Sequence, residues 1–359
     1  MKILNLNLKH KTVPIETENG LFQKAAQRIK ELFGERKIML VTDSNVGPVY
    51  AEKLFTQLKD LNIETGVYTV PAGENSKSHD LLLKLYDAFA RFGLTRRDIV
   101  IAVGGGVTGD LAGYAASTWL RGTGLVHIPT SLIAMVDSSI GGKTAVNLPH
   151  GKNLVGSFYH PEIVLIDPLL LETLPDRYFF DGIAEVIKYG LISDNNLFEM
   201  LESLENRGNI IEHIEEIIFR CCDIKRNIVE QDETESGIRM ILNFGHTFGH
   251  AIEKVFGYEK YTHGEAVSVG MVYISEISEK LGFCNSELPK RLRSVLSRYG
   301  LPVDFPKVDN NAVIDAVLID KKSRTNDINL VLIEEPGKVF IKRFPKEQIR
   351  RMVHENRYD

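Results

Sequence analysis

The chain has 359 residues, 43% hydrophobic and 25% charged, an ordinary balance for a soluble globular protein of about two domains. Its net charge of −5 excludes the broad basic footprint of a nucleic-acid binder while leaving room for a local pocket for a small anion. Three cysteines, two of them adjacent, form neither a disulfide framework nor a zinc ribbon, and without a signal-peptide core or an apolar run of about 18 residues the expected setting is the cytoplasm, with no membrane partner.

The first half alternates strands with helices. MKILNLNLKHKT at the N-terminus alternates apolar and polar residues and reads as a first strand. Lys37–Asp43 (KIMLVTD) is an apolar run of strand length, and Pro48 marks a helix start. Ile63–Val70 reads as the next strand, and Ser78 offers an N-cap to a helix carrying Leu81, Leu82, Leu85, Ala88 and Phe89. Asp98–Val103 runs straight into Gly104-Gly105-Gly106, with further strands at Leu125–Ile128 and Ile163–Ile166. Strands spaced this way imply βαβ units and a parallel sheet. Beyond Pro175 the periodicity turns helical, through Ile211, Ile214, Ile217 and Ile218, then Ile238, Ile241, Leu242 and residues 263–281. A small hairpin is expected around Pro336-Gly337. The division expected is 1–175, α/β, and 176–359, helical.

Five segments carry chemistry. Gly104–Asp110 (GGGVTGD) follows a strand and opens a helix, where glycine backbone and the helix N-terminus suit a phosphate. The G-x-G-x-x-G match is weak alone, because it lies outside the first βα unit. Pro71–Ser78 (PAGENSKS) holds Gly73, Glu74 and Lys77 at another strand end, facing the same side as Asp43 and Asn45. Asp43 is as compatible with turn formation as with ribose binding. Asp137–Asn153, rich in Gly and Ser and carrying Lys143 and Lys152, reads as an anion-binding loop; Arg121 stands upstream in a setting suited to an interface. Glu185 and Lys188 share one helix face, His246 and His250 stand at i and i+4, and His263 opens the next helix. Three N/O ligands with an open position describe a catalytic metal site, and spacing does not decide which two histidines bind. Last, Lys225, Arg239, Asn243 and Lys321 or Lys322 form a cationic and amide group in the helical half, for which a solvated surface is the plainer reading of the residues alone.

Together these motifs resemble the 3-dehydroquinate synthase family over roughly residues 37–330: PAGENSKS, GGGVTGDLAGY, RGTGLVHIPTSLIAMVDSSIGGKTAVN, GKNLVGSF, AEVIKYG, LNFGHTFGHA and HGEAV. The resemblance implies a Rossmann-like N-terminal domain holding NAD and an all-α C-terminal domain holding Zn²⁺ or Co²⁺. It implies Glu185, His246 and His263 as metal ligands, with His250 near the substrate phosphate. Lys143, Lys152, Asn153, Arg239 and Lys321 or Lys322 would hold that phosphate, and Arg121 would reach it from a neighbouring subunit of a homodimer. Lys188 and Lys225 would face the substrate carboxylate, and Asp137 and Asn243 its hydroxyls. Asp43, Asn45, Glu74, Lys77, Gly105, Gly106, Asp110, Thr130, Ser131 and Thr173 would contact NAD, as Lys143 and Lys152 could. Ser131 departs from the Thr common there but keeps the hydroxyl.

The implied substrate is 3-deoxy-D-arabino-heptulosonate 7-phosphate, a polyanion that accounts for a basic pocket in an acidic protein. The implied reaction is a transient oxidation by NAD, loss of phosphate, re-reduction, ring opening and aldol closure. The alternatives are a sister sugar-phosphate cyclase, a metal-dependent polyol or alcohol dehydrogenase, and a non-catalytic binding protein on the same scaffold.

Overall fold

A computed structural model describes residues 1–320 and 327–356. The chain forms two compact units, 1–175 with 214–234, and 176–213 with 235–359.

The first unit opens with a hairpin, β1 (Lys2–Asn7) and β2 (Thr12–Thr17), then α1 (Leu21–Phe33), β3 (Ile38–Asp43), α2 (Glu52–Asp60), β4 (Thr65–Val70) and α3 (His79–Phe92). It continues through β5 (Ile99–Gly104), α4 (Gly106–Thr118), β6 (Gly124–Pro129), the hairpin β7 (Lys143–Leu148) and β8 (Gly151–Phe158), and β9 (Ile163–Ile166). Seven strands make one sheet in the order β1-β2-β9-β6-β5-β3-β4, parallel except for β1 against β2. β5 is buried along its whole length and β3 nearly so, as strands covered on both faces must be, so they read as unbroken apolar runs. Ser78 caps α3, its hydroxyl accepting from Leu81 N–H at 3.3 Å. Pro48 sits in a wide turn of π type that leads into α2 rather than opening it.

The second unit contains α5 (Asp176–Ser193), α6 (Asn195–Ser203) and α7 (Arg207–Glu212). The chain then contributes α8 (Ile214–Gln231) to the first unit. It returns with α9 (His246–Val255), α10 (His263–Lys280), α11 (Glu287–Arg298), α12 (Asn310–Asp320), the hairpin β10 (Asp327–Glu335) and β11 (Lys338–Pro345), and α13 (Lys346–Asn356). α5 is buried without interruption from Asp181 to Ile192, the mark of a central helix. α9 and α10 approach to backbone contact, since a Cβ on Gly270 would overlap the Gly245 carbonyl.

Four expectations need correction. Residues 137–153 are not one loop: β7 and β8 pair across them, because Thr144, Ala145 and Val146 bury against α4 once a turn closes at Leu148–Gly151. Residues 214–234 leave the helical unit, because the apolar stripe Ile214, Ile217, Ile218, Cys221 and Cys222 on α8 finds its partners in β1 and the turn Ala134–Ser138. The second unit is not all-α, since it includes β10 and β11. Ile238–Asn243 is one short 3₁₀ segment rather than part of a long helix.

Candidate active site

In the first unit the chain leaves β3 toward β4 on one side and continues from β5 to β6 on the other. This reversal makes a topological switch point at the C-terminal ends of β3 and β5, where open α/β sheets bind dinucleotides. Asp43 ends β3, and its Oδ1 accepts from the N–H groups of Asn45 (2.9 Å) and Val46 (3.1 Å), while Oδ2 accepts from Thr108 Oγ1 at 3.2 Å. The turn-forming role is thus real, and it holds Asp43 beside α4. Gly105 and Gly106 open α4 without a side-chain cap hydrogen bond, a helix start suited to an anion. Thr130 N–H donates to Gly104 O at 3.0 Å, and a Cβ on Gly105 would lie 3.3 Å from Ser131 Oγ. Thr173 lies further along the chain, its Oγ1 2.7 Å from the Tyr50 hydroxyl.

One polar network joins segment 71–78 to the β7–β8 hairpin. Lys77 is buried, with Nζ 2.6 Å from Asp110 Oδ2 and 2.5 Å from Asn153 Oδ1. Asn153 adopts a left-handed backbone (φ 55°), which asparagine tolerates better than most residues. Asn147 ties both parts together: its N–H donates to Lys77 O (2.7 Å), its Nδ2 to Glu74 Oε1 (2.7 Å), and its Oδ1 accepts from Asn153 N–H (2.9 Å). Sequence reasoning missed Asn147; a polar residue breaking the apolar run of β7 was the available signal. Burial raises the Asp110 pKa, and the Lys77 ammonium opposes that rise.

Lys225 is buried on α8, and its Nζ donates to the Asp137 carbonyl and carboxylate, both at 2.7 Å. Two residues 88 positions apart are thereby brought together. Lys143 is exposed at the start of β7 and Lys152 is half-buried on β8. Arg121 is exposed on a turn in which Leu120 (φ 50°) and Arg121 (φ 68°) are both left-handed, a costly conformation that tends to persist at functional positions.

The second unit holds the histidines. Glu185 on α5 is fully buried, and its Oε1 lies 3.5 Å from His246 Nε2 and 3.4 Å from His263 Nε2. These three residues offer one carboxylate oxygen and two imidazole nitrogens, all within 4.8 Å of one another. Bonds of about 2.0–2.1 Å in a tetrahedron put ligand atoms roughly 3.3 Å apart, close to the 3.5 and 3.4 Å that separate Glu185 Oε1 from the two imidazole nitrogens, so the donor set suits a divalent ion. His246 Nδ1 lies 3.1 Å from the Phe244 carbonyl, which fixes the tautomer that leaves Nε2 as the ligand atom. Burial lowers the His246 pKa to about 3. Burial also pulls His263 down, but Glu185 and Glu253 outweigh it and raise the pKa well above 6.5, so this spot favours positive charge.

The i, i+4 pair divides between two candidate donor groups. His250 groups with Glu253 and His263, not with Glu185, although its ring lies 5.4 Å from that of His246. Glu253 Oε2 stands 3.6 Å from His263 Nδ1. Lys188 donates to Glu185 Oε2 and is 1% exposed, as is Arg239; cations this deeply buried need anionic or polar company. Asn243 Nδ2 donates to Glu235 Oε1 at 2.7 Å. Glu235 also escaped sequence reasoning, because the acidic run Asp232–Glu235 resembles a solvated turn. Lys321 and Lys322 lie outside the described residues.

Two family models match, 3-dehydroquinate synthase N-terminal over residues 67–181 and 3-dehydroquinate synthase C-terminal over residues 182–323. A curated 3-dehydroquinate synthase of Clostridium perfringens (strain 13 / Type A) is 48% identical, covering 95% of this chain and 97% of its own. One of Clostridium kluyveri is 44% identical and covers 94% of both chains. Among solved structures, a 2-deoxy-scyllo-inosose synthase complexed with carbaglucose-6-phosphate, NAD⁺ and Co²⁺ superposes with a TM-score of 0.88 at 27% identity, covering 99% of this chain and 100% of that one. A 2-epi-5-epi-valiolone synthase from Streptomyces hygroscopicus subsp. jinggangensis 5008, with NAD⁺ and Zn²⁺ bound, gives 0.88 at 27% identity, covering 98% and 97%. A glycerol dehydrogenase from Schizosaccharomyces pombe, at 19% identity and a TM-score of 0.64, shares the fold alone. With matching family models over both halves and relatives of this identity along nearly its whole length, the chain belongs to the 3-dehydroquinate synthase family.

Proposed function

We propose that this chain is a lyase that converts 3-deoxy-D-arabino-heptulosonate 7-phosphate to 3-dehydroquinate and phosphate, in the shikimate pathway, with NAD and Zn²⁺ or Co²⁺. The observation that carries the reading is the compact Glu185–His246–His263 donor set in the same unit as two buried cations, Lys188 and Arg239. When bound, NAD supplies a reversible oxidation at C5 and the metal supplies the positive charge that acidifies the C5 hydroxyl.

The chain's own residues bind and orient. Asp43, Asn45, Glu74, Lys77, Gly105, Gly106, Asp110, Thr130, Ser131 and Thr173 hold the dinucleotide. Lys143, Lys152, Asn153, Arg239 and His250 hold the substrate phosphate so that its oxygen takes the C6 proton before phosphate leaves. Lys188 and Lys225 meet the substrate carboxylate, and Asp137 and Asn243 its hydroxyls. Fixing one flexible sugar acid at both ends turns several steps into a single orientation problem, which is the larger part of the catalysis. The working form is a cytoplasmic homodimer in which Arg121 of each copy reaches the other's phosphate. Among the described residues no helix is long and apolar enough to cross a membrane.

A sister cyclase is the second reading, favoured by the inosose and valiolone synthases among the structural neighbours. Their 27% identity stands against 44–48% for relatives named 3-dehydroquinate synthase. The test is an assay with the heptulosonate phosphate, NAD and Zn²⁺, following phosphate release and absorbance at 340 nm together. Phosphate release without net NADH is expected. Steady NADH without phosphate would mean a dehydrogenase, and turnover of neutral sugar phosphates alone would mean a sister cyclase.

A further inference from the structure

α5 turns one stripe toward the start of α10. Arg177, Asp181, Glu185 and Lys188 follow each other at helical spacing. At the outer end, Arg177 Nε and Nη2 bind Glu265 Oε1 and Oε2 at 2.8 and 2.9 Å. Glu265 in turn closes a capping box with Thr262. One turn inward, Asp181 Oδ1 accepts from Gly264 N–H at 2.5 Å. One turn further, Glu185 Oε1 faces His263 Nε2 at 3.4 Å. Three successive rungs of α5 therefore grip residues 265, 264 and 263 of α10.

The middle rung differs from its neighbours. Gly264 N–H is one of the donors that a helix start leaves without an intrahelical partner. Here the acceptor comes from another helix, so the bond that completes α10 also sets its register against α5. A carboxylate at this end complements the helix dipole as well. Asp181 is 7% exposed, and burying a carboxylate is unfavourable unless it is well bonded. The two backbones are already in contact, because a Cβ on Gly264 would overlap the Asp181 carbonyl. The Arg177 pair, at 56% exposure on the arginine side, adds little by comparison.

We propose that Asp181 is a positioning residue for the metal: it fixes the backbone beside His263 so that this ring and Glu185, four residues along α5, stand at ligand spacing. The proposal rests on the metal-dependent reading of the Glu185–His246–His263 set. Groups that orient metal ligands are worth about 10- to 100-fold in metal affinity, and sites tolerate only about 0.5 Å of misplacement.

The experiment compares the full-length protein with Asp181→Ala, Asp181→Asn and His263→Ala. It measures Zn²⁺ affinity by competition with a chromophoric chelator and the melting temperature of each metal-free protein. Asp181→Ala should bind Zn²⁺ about 10- to 100-fold more weakly, while Asp181→Asn, which keeps the acceptor oxygen, should restore most of the affinity. Should the alanine variant fail to fold, Asp181→Ser, too short to reach Gly264, takes its place. If Asp181→Ala lowers only the metal-free melting temperature and leaves Zn²⁺ affinity unchanged, while His263→Ala loses the metal, the role of Asp181 is overturned and the functional reading stands. If His263→Ala also leaves affinity unchanged, both fall together.

Discussion

Replacing Lys77 by Met removes one half of a buried ion pair and keeps most of the side-chain volume. Lys77 is 4% exposed, and its Nζ lies 2.6 Å from Asp110 Oδ2. Stranding the partner of a fully buried pair costs about 3–5 kcal/mol. The Asp110 side chain retains 19% exposure, so water replaces part of the lost company and the expected cost falls to about 2–3 kcal/mol at pH 8. Burial already raises the Asp110 pKa above 3.8, with Lys77 opposing it, so the variant's carboxyl rises further. A folded pKa above the unfolded value contributes stability that is fully present below the unfolded pKa and is lost as pH rises through the folded one. The deficit of Lys77→Met should therefore be largest at pH 8 and shrink on acidification toward pH 5. Adding Asp110→Asn removes the stranded charge and should recover about 1–2 kcal/mol. The assay is urea unfolding at both pH values, followed by fluorescence of the single tryptophan, Trp119, which lies in the same unit. A deficit below about 1 kcal/mol at pH 8, the range of a surface pair, or one that the double variant leaves intact, refutes the reasoning.

Glu253→Gln removes the carboxylate 3.6 Å from His263 Nδ1 and should weaken Zn²⁺ binding about 10-fold; unchanged affinity in a chelator competition would reject that role. Burial lowers the His127 pKa from 6.5 to about 4, so the unfolded chain takes up a proton that the folded one refuses. Stability is then lost as pH falls from 6.5 toward 4, by about 2 kcal/mol at pH 5. His127→Gln should flatten that loss between pH 7 and pH 5, and an equal fall in the urea midpoint of both proteins would contradict it. Burial raises the Cys222 pKa to about 12 and the Cys284 pKa to about 11. Both thiols should resist an aromatic disulfide reagent at pH 8 until urea is added, and rapid labelling of Cys222 in the folded protein would overturn its assigned burial.

Local rules made much of this protein legible. Ser78 as a cap, Ile163–Ile166 as a strand and the glycines between β5 and α4 are matters of a few neighbouring residues. They depend on backbone freedom, side-chain length and apolar period, all written in adjacent letters. The Glu185, His246 and His263 residue types were visible in the same way. Other features depended on partners far along the chain. That His246 and His263, rather than His246 and His250, share Glu185 follows from how closely α9 and α10 pack at Gly270. That Asp137 meets Lys225 follows from the return of α8 to the first unit. Whether Lys188, Lys225 and Arg239 are surface cations or buried ones is a property of what covers them. The order of elements and the chemical groups available are local properties and can be read along the chain. Which groups meet is a matter of burial and contact between distant segments, and these are set by packing.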